Sequence, residues 1–199
     1  MIKCSRIYLA IFIVFIFITG NAFGISGAFK DNIFNTGRLK PVDSVLKVKV
    51  GQKAPDFILP SLSGKKISLS QFKGKKNVVI SFVPAAWTPV CSDQWPGYNI
   101  VKEIFDKNDA ILLGITVDNI PTLFAWTNQM GKLWFEVLSD FWPHGAVADK
   151  YGVLRSDGLS ERALIFVDKE GIISAILVMD INRRPDIVAC ATELKKMKP

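Results

Sequence analysis

Val78-Val79-Ile80-Ser81-Phe82-Val83-Pro84-Ala85-Ala86-Trp87-Thr88-Pro89-Val90-Cys91 joins a β-branched and aromatic run to a proline-punctuated turn, and that junction decides the fold. Val78 to Val83 is near-continuously apolar, which suits a strand buried on both faces. Pro84 stops it, because proline offers no ladder donor. Thr88 is a favoured helix N-cap, Pro89 suits the first helical position, and Cys91 then falls at the third. A thiol is thereby set over the free backbone N–H groups of a helix start, just past the carboxyl end of a central strand. Open α/β sheets place ligand sites there. The thiolate is the nucleophilic form of cysteine, and a helix start or a nearby cation favours it. Cys91 as a small buried hydrophobe is the competing reading, and the Pro–Thr–Pro–Cys setting weighs against it.

The same strand-and-helix alternation extends outward. Ala110 to Val117, Ala163 to Val167 and Ile172 to Val178 are further strand-like runs, the last two joined by a hairpin at Asp168-Lys169-Glu170-Gly171. Tyr98, Val101, Ile104 and Phe105 recur at helical spacing, so a helix is expected from Thr88 to Phe105. Pro121 opens another through Leu123, Phe124 and Met130. Pro185 and Asp186 begin the last, with Ile187, Cys190, Ala191 and Leu194 on one face. Upstream, Val45 to Val50 alternates apolar residues with lysine as a strand edge or lead-in. Phe57 to Leu59 and Ile67 to Leu69 read as short strands, and Ser70 to Lys73 as one helical turn. The order predicts an α/β protein of thioredoxin-like topology: a central mixed sheet flanked by helices, with an N-terminal β extension.

Composition narrows the function. The 199 residues are 49% apolar, 22% charged and 11% aromatic, enough for one domain with a full core and too apolar for disorder. Three cysteines (Cys4, Cys91, Cys190) make no disulfide scaffold and no zinc pattern, and a single histidine, His144, excludes a His-rich metal site. The net charge of +7 is spread in pairs such as Lys65-Lys66 and Lys75-Lys76, with no aromatic–basic interleaving, so no nucleic-acid partner is expected. Lys3 and Arg6 precede twelve apolar residues, Ile7 to Ile18, and small residues follow. That describes a secretory signal over residues 1–24, cut after Gly24 or Ala28, or an uncleaved N-terminal anchor. The run is short of the roughly 20 residues that cross a bilayer. A linker (residues 25–44) and one domain (45–199) are expected to follow, with the protein exported to a periplasmic or other extracytoplasmic space.

Pro84, Thr88 and Cys91 form P-x-x-x-T-x-x-C, which resembles the active-site motif of peroxiredoxins, the alkyl hydroperoxide reductase/thiol-specific antioxidant family. Val50 to Phe57 and Arg162 to Asp168 support it, and the resemblance spans about Val45 to Lys198. It implies a thiol-dependent peroxidase that reduces hydrogen peroxide or organic hydroperoxides through a cysteine sulfenic acid, with no metal or organic cofactor. Cys91 would attack the peroxide, Thr88 would orient it, and Arg162 would hold the thiolate and the developing charge. Pro84 would shield the sulfur, and backbone N–H groups near Val90 and Cys91 would complete the substrate cradle. A surface ion pair with Glu161 or Asp157 is the competing reading of Arg162. Trp87 stands where many members carry Phe, and Gln94 where many carry Glu. The latter change is expected to alter polarity without touching the reacting groups.

Resolution of the sulfenic acid points to an external thiol. Cys190 lies on an apolar helical stripe, so core packing is expected, with a resolving role open only if that helix unwinds. No second cysteine follows Cys91 in its helix, and no Val-Cys-Pro tail is present. The resemblance therefore implies a one-cysteine enzyme whose reductant is thioredoxin-like or a low-molecular-weight thiol, with a homodimer as a further possibility. Trp126 and Trp134 read as packing or dimer-face aromatics, and His144 as a loop residue. An exported thiol–disulfide oxidoreductase would need C-x-x-C where Thr88 fills the first slot, and a proline where Glu161 precedes Arg162. A non-catalytic thioredoxin-fold module would leave Cys91 inert.

Overall fold

The computed structural model describes residues 27–197, so the expected export signal or anchor and Cys4 lie outside the described residues. In chain order the elements are α1 (Gly27–Asp31), β1 (Ile58–Pro60), β2 (Lys66–Ser68), β3 (Asn77–Phe82), α2 (Pro89–Gly97), α3 (Lys102–Lys107), β4 (Ala110–Thr116), α4 (Ile120–Met130), β5 (Glu136–Ser139), α5 (Ala146–Tyr151), β6 (Arg162–Val167), β7 (Ile173–Met179) and α6 (Ile187–Lys196). Five strands form a mixed sheet in the order β5-β4-β3-β6-β7. β3 runs parallel to β4 and antiparallel to β6. β1 and β2 form a separate hairpin, the expected N-terminal extension.

Every residue of β3 is buried because both faces of the sheet are covered. Val79, Leu112, Leu164 and Phe166 pack beneath Trp95, Phe105, Trp126 and Leu194 of the helices. On the other face Val78, Ile80, Phe82 and Ile165 pack against Leu59, Ile67 and Tyr151. Gly114 lets Trp95 lie on β4: a Cβ there would come within 2.7 Å of the indole.

Four expectations are adjusted. The helix expected over Thr88 to Phe105 is interrupted, with a 3₁₀ turn at Tyr98–Val101 separating α2 from α3. Pro96 lies inside α2, where it lacks a donor and crowds the preceding turn, and α2 ends one residue later. β5 was not expected, since four residues with polar ends carry too short a pattern. It pairs parallel with β4 from Leu113↔Glu136 to Thr116↔Ser139. α5 was also unforeseen. Its start is held by a distant acceptor, the Asp140 carboxylate, which takes the N–H groups of Val147 (3.0 Å) and Ala148 (2.8 Å). Val45 to Val50 forms no strand and is a lead-in, its neighbourhood tied down by Lys47 N–H to Tyr151 O (3.2 Å) and Gly51 N–H to Ile173 O (2.8 Å).

Candidate active site

The chain leaves β3 through Val83 and Pro84 and enters α2 at Pro89, with Thr88 in extended backbone (φ −107°, ψ 154°) at the N-cap position. Cys91 is the third helical residue, as its spacing predicts. The Thr88 hydroxyl does not cap the helix: it donates to Ala85 O at 3.0 Å. Its proton is thus committed, and its lone pairs remain to accept from a substrate O–H. The early N–H groups of a helix have no intrahelical acceptor, and Thr88 supplies none to Val90 or Cys91.

Between these points the backbone is strained. Trp87 has φ +59°, a left-handed conformation that a bulky residue rarely adopts. Its surroundings hold it. Ala86 N–H donates to Asp118 Oδ2 (2.8 Å), which also accepts from the Thr116 hydroxyl (2.8 Å). Phe34 N–H donates to Trp87 O (2.8 Å), and the Phe29 ring lies 5.8 Å from the indole.

Arg162 begins β6, beside β3 in the sheet, and is 1% exposed. One terminal nitrogen lies 3.4 Å from Cys91 Sγ and 3.0 Å from Ile181 O, and Nε also donates to Ile181 O at 3.3 Å. The other terminal nitrogen donates to Gln94 Oε1. No carboxylate pairs with this guanidinium among the described residues. The ion pair considered for it belongs to Arg155, which contacts Glu161 at 2.9 Å and Asp157 at 3.1 Å.

Gln94 corrects an expectation, because it contacts the arginine directly instead of lying clear of the reacting groups. Its Nε2 donates to Ser81 Oγ (3.3 Å) and Tyr98 Oη (3.1 Å), which leaves Oε1 for Arg162. Burial pushes the Tyr98 phenol up, so it is a neutral hydroxyl in this network. The buried cation therefore has neutral amide and carbonyl partners, and the Cys91 sulfur is its remaining neighbour.

Pro84, Thr88, Val90 and Arg162 line a cavity of about 590 Å³. Cys91, itself 1% exposed, is not among the lining residues but contacts Arg162, which is. Asn35–Leu39, in the stretch expected as a linker, forms one wall, and Asp180–Arg183 forms another. Cys190 is fully buried on α6, a free thiol pushed up to about 12 by burial. Trp126 is fully buried, 5.0 Å from Trp95, and its Nε1 donates to Ser92 Oγ (3.1 Å), so it packs the core. Trp134 packs on Phe105 with Nε1 to Tyr98 O (3.2 Å). His144 Nε2 bonds Gly158 O (2.7 Å), a loop contact. Asp118, the Ile181 carbonyl and the Asn35–Leu39 wall were missed. Only Asp118 carried a usable signal, since it follows β4, which runs parallel beside β3.

Residues 50–176 match the model of the AhpC/TSA family. Alkyl hydroperoxide reductase E of Mycobacterium tuberculosis is 38% identical over 127 residues, 63% of this chain and 82% of that protein. The chloroplastic 2-cysteine peroxiredoxin of Chattonella marina var. antiqua is 32% identical over 146 residues, 69% of this chain and 74% of that one. Among solved structures, the reduced 2-Cys peroxiredoxin of Plasmodium vivax aligns with a TM-score of 0.69 at 26% identity, over 74% of this chain and 81% of that chain.

Proposed function

The chain belongs to the AhpC/TSA family of peroxiredoxins and is a thiol-dependent peroxidase, and we propose that Cys91 is the sulfur that attacks the peroxide, with Arg162 and Thr88 as its partners. The observation that carries this reading is the Arg162 nitrogen 3.4 Å from Cys91 Sγ. The Cys91 thiolate attacks one oxygen of ROOH, an S–O bond forms and the O–O bond breaks. The departing RO⁻ takes a proton to leave as ROH, and Cys91 becomes the sulfenic acid. Arg162 donates to the sulfur and the reacting oxygens as charge moves between them. Thr88 accepts from the peroxide O–H and sets its angle. Pro84 and Val90 bound the substrate and limit water.

The sulfenic acid is then reduced from outside. A first external thiol displaces water to give a mixed disulfide, and a second releases Cys91 as the thiol. This one-cysteine scheme is supported by the position of Cys190, fully buried and strongly disfavoured as a thiolate. The reductant is a thioredoxin-like protein or a small thiol. Export is supported by Lys3, Arg6 and the apolar run Ile7 to Ile18. A homodimer is supported by the exposed Phe141 and Trp142, 46% and 82% accessible.

The test is peroxide consumption by wild type, Cys91→Ser and Cys190→Ala with several donor thiols. Loss in Cys91→Ser alone is expected. Turnover retained in Cys91→Ser ends the assignment, and loss in both variants makes Cys190 a partner.

A further inference from the structure

We propose that Asn35–Leu39 is the wall that binds the organic part of a hydroperoxide and so sets which peroxides the enzyme prefers, an inference that rests on Cys91 being the attacking sulfur. Size is the first argument. Water occupies about 30 Å³ in the liquid, and hydrogen peroxide, larger by one oxygen, needs only a little more. The cavity that Thr88, Val90 and Arg162 line measures about 590 Å³, within the range of sites for organic ligands. Most of it is therefore space for a carbon substituent.

The second argument is how the cavity is walled. The Thr88 turn and the Asp180–Arg183 stretch supply two sides, and Asn35–Leu39 supplies the third. This segment precedes the family-matched stretch, which starts at residue 50. The common catalytic residues of the match thus do not form this wall. Leu39, Val90, Leu159 and Ile181 offer apolar surface to a tail, while Arg38 lines the same space. An alkyl or aryl hydroperoxide fits that chemistry: its O–O group meets the sulfur, and its carbon group lies along the wall until ROH departs.

Third, the wall is fastened at both ends to the parts that hold the reacting groups. Phe34 N–H donates to Trp87 O at 2.8 Å, directly before Thr88. At the other end Leu39 N–H donates to Asn182 Oδ1, and Asn182 Nδ2 returns a bond to Leu39 O, both at 2.9 Å. Ile181 N–H donates to Pro41 O (3.0 Å), while Ile181 O receives Arg162. Gly37, with φ +69°, turns the chain between these anchors, and its N–H donates to Asn35 Oδ1 (2.9 Å). Two fixed ends and a tight turn make a shaped wall instead of a trailing segment.

The experiment compares kcat/KM for cumene hydroperoxide and hydrogen peroxide in the full chain. Thr36 is exposed in the structure, so Thr36→Trp should fold while filling the space. It is expected to lower the cumene-to-hydrogen peroxide ratio at least tenfold. Leu39→Ala should lower the ratio threefold or more, through KM for cumene hydroperoxide. A ratio within twofold of wild type in both variants, or a raised ratio, overturns the proposal. Cys91→Ser, measured alongside, separates the two failures. Turnover retained there removes the site and the wall with it. Turnover lost there, with an unchanged ratio in the wall variants, removes the wall alone.

Discussion

The Arg162 guanidinium bridges Cys91 and Gln94: one nitrogen lies 3.4 Å from the sulfur while another donates to the Gln94 carbonyl. Its remaining acceptor is the Ile181 carbonyl. A cation that is 1% exposed and has only neutral fixed partners is poorly compensated, which leaves it free to meet charge that develops during reaction.

Arg162→Lys tests whether a planar fork is needed. An ammonium keeps the charge but cannot hold the same fixed contacts to sulfur, Gln94 and Ile181 at once. Stopped-flow peroxide reduction is expected to slow by roughly 10²-fold, the effect of losing one well-placed donor to developing charge. A rate within threefold of wild type would show that charge alone suffices.

Gln94→Glu places a carboxylate against the guanidinium. The acid would compete with the sulfur for Arg162 and add a like charge to the site. Stopped-flow peroxide reduction at pH 7 is expected to slow by roughly tenfold, the size of a weakening of about 1.4 kcal/mol. A rate within twofold of wild type would mean that the neutral partner is incidental.

Cys190 is expected to be silent in the folded protein. With its thiol pushed up to about 12, the thiolate fraction at pH 8 is on the order of 10⁻⁴. Mass spectrometry after iodoacetamide treatment should find Cys190 modified only once denaturant is added. Rapid labelling of native protein at Cys190 would revive its resolving role.

Asp43 makes the N-terminal stretch acid-sensitive. Hydrogen bonds from the Ser156 hydroxyl, from Lys40 and from Ser156 N–H hold its carboxyl well below the usual range. A depressed folded-state value favours the ionised form, so the stabilisation is present above about pH 3.9, the unfolded value, and fades as pH falls through the folded one. Wild type should therefore have a higher Tm than Asp43→Asn at pH 5–7, and the gap should narrow steadily as pH falls below about 4. A gap independent of pH would assign the effect to packing.

Glu161→Ala should be the most destabilising change among these. Its carboxylate is fully buried, pairs with Arg155 at 2.9 Å, and accepts the N–H groups of Asp43 (2.6 Å) and Ser44 (2.9 Å). Removing it orphans those donors, at a cost of about 3–5 kcal/mol in urea unfolding. A loss below about 1 kcal/mol would show that water replaces the carboxylate.

The helix start at Thr88-Pro89-Val90-Cys91 and the buried run Val78 to Val83 could be read directly, because proline, N-cap and period-based signals act within a few residues. β5 and α5 could not. One is four residues long and paired across the sheet, and the other starts under a carboxylate six residues upstream.

Local chemistry in the chain thus determined the strand–turn–helix unit, the third-position thiol and the α/β layering around them. Tertiary structure decided the rest of the site. Arg162 reaches Cys91 across 71 residues, Gln94 faces that arginine, and Leu39 joins Asn182 across 143 residues. Such contacts depend on how strands and loops converge in space, and a buried charge settles on partners that only the folded interior brings within hydrogen-bond reach.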